Sequence, residues 1–347
     1  MKKWWLWPLF FFALNLNSVY PTSPLYLQLQ WQIQEWLVNP HDVMVWKDKI
    51  FVMDFVAPKP ILVFSTNGKL SGTLGNFGNG PGEIQNGAEM VGVFADRFLV
   101  VRDEQNRKFV FYDIPTLQFY QERKYTFSII SCELAGNKIF AIAIIPELYL
   151  GKILEINYEN NNFTLTESGY WGNFDEIPEP KITQKNFLLK KAALCHDANG
   201  NVYLTIVHSS LLISFSNDAK LRFKTLKPFD IPIPEFFNTD KRFQAVAPPI
   251  NNYATIYFDI STDESFLYAV YSGAKLQITS SADLQSMGKI FSKFYSSGKK
   301  ILIFDKESGA LKNTAEFPVA VWKLEVTRDA MYILSKEPAI ALYKFLK

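Results

Sequence analysis

One pattern recurs six times along this chain and leaves few folds open to it. Each time, an apolar run marks a strand: KIFVMD with Ile50, RFLVVRD with Phe98, KIFAIAI with Ile139, NVYLTIV with Val202, FLYAVY with Leu267 and AMYILS with Met331. The runs stand roughly 40 to 65 residues apart, the period of a four-stranded unit plus its loops. Polar turns precede several of them, as at Lys47-Asp48-Lys49, Ala135-Gly136-Asn137 and Asn199-Gly200-Asn201. Each is followed by a third strand with an apolar-aromatic run: ILVFSTNGK, KFVFYDIPT, KILEINYEN, LLISFSNDAK, ILIFDKESG and IALYKFLK. The sixth unit reaches Lys347 after its third strand and lacks a fourth. Residues 25–36, LYLQLQWQIQEW, supply a spare strand at the other end. Leu25, Leu27, Leu29, Trp31 and Ile33 alternate there with polar residues and Tyr26, which predicts one buried and one wet face. The arithmetic predicts an all-β fold: a six-bladed β-propeller over residues 25–347, its last blade closed by the N-terminal strand. A β-sandwich would leave the six like units and the missing strand unexplained.

The unit boundary is sharpest at residues 74–84, LGNFGNGPGEI, where five of eleven residues are Gly or Pro. Such a stretch is neither helix nor central strand. It is not a phosphate cradle either, because a proline interrupts it and no helix N-terminus follows. A structural turn between blades is the expectation. Read together, Asn39-Pro40, HDVMVWKDKIFVMDF, PILVFSTNGK and GTLGNFGNGPGEI resemble the NHL-type repeat and the TolB-like six-bladed propellers of exported bacterial proteins. The resemblance covers about residues 38–101. It implies the fold, while function depends on what a particular ring displays. Some NHL-type propellers are lyases with a histidine-ligated metal. Here His41 and His208 fall on the top face and His196 toward the bottom, so one three-histidine site is not expected and those ligands do not carry over.

The N-terminus has the form of an export signal. Met1-Lys2-Lys3 is basic, and residues 4–16, WWLWPLFFFALNL, form an apolar stretch too short and too interrupted for a good membrane span. Residues 1–22 are therefore expected to be a signal peptide, cut between Ser18 and Ser23, with the mature chain periplasmic, surface-located or secreted and free of a stable membrane span. The net charge of only +2, with acids and bases interspersed, gives no footprint for nucleic acid. The two cysteines, Cys132 and Cys195, are too few for a disulfide framework and read as buried free thiols. A monomer is expected.

Strand alternation then sorts the first strand of each unit. Seven residues before each anchor stand Val43, Val91, Cys132, Cys195, Ile260 and Leu324, which should pack between blades. Their neighbours should line the central channel: Asp42, Glu133, His196, Asp259, Lys323 and Glu325 are the charged or titratable ones. Glu133, His196 and Glu325 could serve acid/base or metal chemistry, and solvated lining is the plainer reading. Three long insertions, residues 168–190, 228–252 and 273–298, all emerge on the top face. They carry Tyr170, Trp171, Phe174, Phe236, Phe237, Arg242 and Phe243, residue types that anchor interfaces. The function expected is a binding or scaffolding module using the top-face loops, with a protein, peptide or glycan as partner and no metal or cofactor assigned. The alternative is a metal-dependent hydrolase or lyase with its site in the channel.

Overall fold

The second strand of each unit carries a mostly apolar run because both of its faces are buried. The structure, a computed structural model, describes residues 27–145, 149–173, 192–206, 209–228, 257–271, 298–336 and 339–347, and the backbone of 236–240 and 243–246. Every regular element among them is a strand. After β1 (Gln28–Ile33), blade 1 consists of β2 (Pro40–Trp46), β3 (Lys49–Asp54), β4 (Ile61–Ser65) and β5 (Leu70–Leu74). Two short strands, β6 (Asn76–Phe77) and β7 (Glu83–Ile84), lie in the connection to blade 2. That blade consists of β8 (Glu89–Phe94), β9 (Phe98–Asp103), β10 (Lys108–Asp113) and β11 (Gln118–Lys124). Blade 3 has β12 (Ile129–Ala135), β13 (Lys138–Ala143), β14 (Tyr149–Glu159) and β15 (Asn162–Asn173). Blade 4 has β16 (Ala192–His196), β17 (Val202–Ile206), β18 (Leu212–Phe215) and β19 (Leu221–Thr225). A separate hairpin, β20 (Phe236–Asp240) and β21 (Phe243–Val246), precedes blade 5, which has β22 (Tyr257–Thr262), β23 (Phe266–Tyr271), β24 (Lys300–Asp305) and β25 (Leu311–Glu316). Blade 6 takes β26 (Lys323–Val326), β27 (Ala330–Ser335) and β28 (Ala341–Leu346) from the end of the chain.

The fourth strand of blade 6 is β1, which pairs antiparallel with β28 from Gln28↔Leu346 to Ile33↔Leu342. Blade 6 thus joins the two ends of the chain, as the strand arithmetic requires. The strand is shorter than expected, and its alternation breaks. The register shifts between Leu29 and Trp31, so Leu29 turns outward and is 49% exposed while Ile33 stays buried. Trp31 locks the seam: its Nε1–H donates to the Thr66 carbonyl of blade 1 at 3.2 Å, and Lys344 Nζ donates to the same oxygen at 3.2 Å.

The first strands contact one another in order around the ring, β26 returning to β2. Between successive blades lie six apolar layers. Alternate residues of one strand feed opposite layers: Ile50 and Val52 of β3 pack toward blade 6, and Phe51 and Met53 toward blade 2. Cys132 lies in the layer between blades 2 and 3 and Cys195 in that between blades 4 and 5, so both are buried free thiols in separate layers.

The glycine-rich connection between blades 1 and 2 is structural. β6 and β7 close it as a parallel ladder, and the Glu83 carboxylate inside accepts the Gly80 N–H at 2.8 Å. A Cβ on Gly78 would lie 2.0 Å from that carboxylate, so glycine is required there. Blade 2 fastens the loop from outside. Tyr112 donates to the Gly82 carbonyl at 2.8 Å, Lys108 to the Gly80 carbonyl at 3.0 Å, and Glu122 accepts the Gly82 N–H at 3.1 Å.

Candidate functional site

Two regions carry chemistry: the channel walls and the top face, meaning the end of the ring that holds the connections between blades and between second and third strands. The residues expected to pack between blades, from Val43 to Leu324, are all buried. Their neighbours on the same first strands are engaged with one another. A side chain on one first strand repeatedly accepts an amide from the first strand of the next blade. Asp42 takes the Met90 N–H at 3.0 Å, Glu89 the Cys132 N–H at 3.2 Å, Asp259 the Leu324 N–H at 2.8 Å and Ser261 the Val326 N–H at 3.0 Å. The Val45 amide donates to Glu325, carrying the pattern from blade 6 to blade 1. Lys323 Nζ lies 3.2 Å from Asp259 and 3.9 Å from Asp42, bridging blades 5 and 1. Glu133 and His196 join blades 3 and 4 by a 2.7 Å contact between Oε1 and Nδ1. Polar side chains of the first strands therefore tie five of the six neighbouring pairs of blades among the described residues.

Burial and crowding set the protonation of these side chains. Burial pushes the Glu325 carboxyl up to about 8, aided by the charges of Glu133 and Asp259. It likewise pushes Asp42 up to about 6, against the opposing charge of Lys323 and the Met90 amide. For His196, burial disfavours the cation, but the bond to Glu133 outweighs it and raises the imidazole above its ordinary value. Glu133 is itself raised by burial, with the His196 bond opposing. His41 lies apart on the top face, its ring 4.4 Å from that of Phe55, and His208 lies outside the described residues. No group of three or more His, Cys, Asp or Glu side chains is placed to hold a metal ion among the described residues.

The top face is where the sequence reading expected the binding aromatics. Tyr170 is exposed, and its ring stacks on Tyr149 at 5.2 Å between centroids. Trp171, expected on an exposed loop, is a core residue. It belongs to β15, is 1% exposed, packs edge-on against Phe140 and Phe215, and donates Nε1–H to the Ala141 carbonyl at 3.1 Å. The reason is strand length: β15 continues to Asn173, so its alternation carries Trp171 into the layer between blades 3 and 4. Phe174 and Arg242 lie outside the described residues, and Phe236, Phe237 and Phe243 fall in the β20–β21 hairpin, of which only the backbone is described.

Sequence reasoning missed the apolar cluster at the seam of blades 6 and 1. Trp36 (48% exposed), Val38 (51%), Val56 (58%) and Ile340 all stand in top-face connections. Asp54, itself buried, clamps two of these connections together. Its carboxylate accepts the amides of Val38 at 2.7 Å, Asn39 at 3.0 Å, Val56 at 3.0 Å and Ala57 at 3.2 Å. The available signal was the apolar residues in the strand-flanking stretches Trp36-Leu37-Val38 and Val56-Ala57, where turns are ordinarily polar.

The profile of a family described as a 6-bladed beta-propeller, DUF5128, matches residues 23–279. No curated protein matches the chain. Among solved structures, one similar fold is a member of the duf4221 family from Bacteroides vulgatus ATCC 8482. It is 11% identical, with a TM-score of 0.53, and covers 92% of this chain and 97% of that one. Another is a "Putative exported protein" from Bacteroides fragilis NCTC 9343. It is 13% identical, with a TM-score of 0.50, and covers 92% of this chain and 95% of that one. Both likenesses are of fold.

Proposed function

The chain belongs to the DUF5128 family of six-bladed β-propellers, and from that premise we propose that it is an exported binding or scaffolding module that meets its partner through the top face. One observation carries the reading. Of the eight large hydrophobic side chains exposed among the described residues, Trp36, Val38, Val56, Ile144 and Ile340 stand in top-face connections, and Tyr170 lies three residues from the top end of the outer strand β15. The other two, Leu29 and Phe119, lie on outer strands. The turns at the opposite end, such as Asp48, Asn160-Asn161 and Asp197–Asn201 (residues 197–201), are polar. Apolar surface gathered on one end of a rigid ring marks an interaction site. The strands that lead into the three long insertions, β15, β19 and β23, end on that same end of the ring. Export rests on the basic and apolar start of the chain, on its likeness to NHL-type and TolB-like exported propellers, and on the fold shared with the Bacteroides fragilis protein. No helix among the described residues is long and apolar enough to cross a membrane.

The alternative, a hydrolase or lyase in the channel, has the Glu133–His196 pair in its favour, since a carboxylate-held imidazole is a candidate general base. The ties between blades account for the same residues without catalysis. The binding reading is tested by placing a photo-crosslinking residue at Val56 or, on the opposite end, at Asn160, in cells that produce the protein. Adducts from Val56 alone are expected. Adducts from Asn160 alone would overturn the reading.

A further inference from the structure

We propose that Asn86 is a modification site: in the folded chain it loses its side-chain amide spontaneously, through a cyclic imide with the Gly87 nitrogen, and becomes aspartate or isoaspartate. The reaction needs an asparagine followed by a residue with no side chain to block the approach. The chain has four such pairs, Asn67-Gly68, Asn79-Gly80, Asn86-Gly87 and Asn199-Gly200. All four lie between strands, and the fold treats them differently. The nucleophile is the glycine nitrogen, and in three pairs it is already committed. Gly68 donates to the Ser65 carbonyl at 2.9 Å, Gly80 to the Glu83 carboxylate at 2.8 Å and Gly200 to the Asp197 carbonyl at 2.9 Å. Each must give up that bond before its nitrogen can turn on the asparagine side chain. The Gly87 N–H has no hydrogen-bond partner among the described residues.

Space and solvent select the same pair. Asn86 and Gly87 are both exposed, whereas Gly68 and Gly80 are half-buried and Gly200 is buried. A Cβ built on Gly87 would meet nothing within 4 Å. The same atom would lie 3.3 Å from the Trp31 ring at Gly68, 3.0 Å from the Glu83 carboxylate at Gly80 and 2.9 Å from the Asn217 amide at Gly200. The turn also supplies an activator. Residues 85–88 form a β-turn, closed by the Ala88 N–H donating to the Gln85 carbonyl at 3.2 Å. Gln105, in the turn between β9 and β10, donates from Nε2 to the Asn86 carbonyl at 2.6 Å. That carbonyl shares a peptide unit with the Gly87 nitrogen. The bond therefore stabilises the negative charge the unit carries once hydroxide has taken the N–H proton. The nitrogen then attacks Asn86 Cγ. The new C–N bond closes the ring, the Cγ–Nδ2 bond breaks, and the amide leaves as ammonia with a proton from water. Water opens the ring at either carbonyl, one cut giving aspartate and the other isoaspartate. The sum consumes one water and releases one ammonia, and nothing is oxidised or reduced.

The product bears a new carboxylate on the top face, in the connection between blades 1 and 2, and lowers the net charge of +2 by one. Isoaspartate also lengthens the main chain of the turn beside Ala88, which is buried in the layer between those blades. The change runs one way, so it records the age of a copy, and it is independent of what the top face binds.

The experiment incubates the purified full chain at about pH 8, follows its acidic form by ion-exchange chromatography and maps that form by proteolysis and mass spectrometry. An isoaspartyl methyltransferase label reads the isoaspartate, and a parallel sample is held in urea. In the folded sample Asn86 is expected to convert about tenfold or more ahead of Asn67, Asn79 and Asn199, and in urea the four rates should converge. Gly87→Ala and Asn86→Gln should each remove the leading acidic form, and Gln105→Leu should slow it severalfold. Circular dichroism melting of each variant guards against loss of fold. Conversion led by another asparagine overturns the inference. So does an intact Asn86 in the folded sample while the urea sample converts, the same order of rates in both samples, or an acidic form that persists at the parent rate in Asn86→Gln.

Discussion

A carboxylate buried in the channel wall and a proton on it are the same fact seen from two sides. Glu325 holds its proton up to about 8 in the folded protein, above the range of an unfolded glutamate, so its contribution to stability is complete in mild acid and is lost as the pH rises through about 8. Asp42, raised to about 6, acts in the same sense at lower pH, and His196, raised through Glu133, acts so above its ordinary value near 6.5. Asp113, Asp197 and Asp263 work the other way. Burial opposes their charge, but hydrogen bonds win and hold them low, so their contribution is lost as the pH falls through their folded values. The urea midpoint should therefore be highest in weak acid and decline from about pH 5 to about pH 9. Glu325→Gln, which fixes the protonated form, should flatten the upper part of that decline; an unchanged profile in this variant would contradict the assignment. At this scale the sequence was half legible. Alternation from the anchors placed Asp42, Glu133, His196, Asp259, Lys323 and Glu325 on first strands beside the buried inter-blade residues, because strand geometry has a strict period. It could not show that Glu133 meets His196, 63 residues away on another blade. Nor could it tell Tyr170 from Trp171, since exposure there depends on how far β15 continues.

Strands were more readily foreseen than the departures from them. Six second strands and six third strands stand where the apolar runs place them, because a strand buried on both faces leaves an unbroken run. The long hairpin of blade 3 was not foreseen. Residues 151–155 of β14 pair with β13, but β14 and β15 continue together to a turn at Asn160 and Asn161, both with positive φ. This arm lays Phe163 onto blade 2, stacked on Phe111 at 4.0 Å and edge-on to Phe98 at 5.0 Å. Blade 2 grips its backbone, with Gln121 Oε1 accepting the Phe163 N–H at 2.8 Å. Phe163→Ala should cost about 3–5 kcal/mol in urea unfolding, the range for a fully buried aromatic. A cost below about 1 kcal/mol would mean the arm is ornament rather than a rivet between blades.

The ring as a whole was the most legible level, since six like units and one displaced strand admit little besides a closed propeller. What the whole hid was its polarity: an exposed valine in a connection looks the same in sequence as a buried one, and only the assembled ring shows them collected at one end. Closure also makes β1 a dependency of the entire molecule. A chain beginning at residue 34 would leave β28 with an open edge and Trp31 missing from the seam. It should elute early from a sizing column and melt lower, whereas an unshifted monomer peak would show that the ring holds without its clasp. That clasp also decides how the molecule is mounted. Gln28 pairs with Leu346, and Lys347 meets Asp263 in a turn of the polar end, so both described chain ends leave the ring on the side away from the seam patch. Whatever holds the ring at the start of β1 or the end of β28 holds it like a dish on its stem, with the apolar rim turned outward to what passes by.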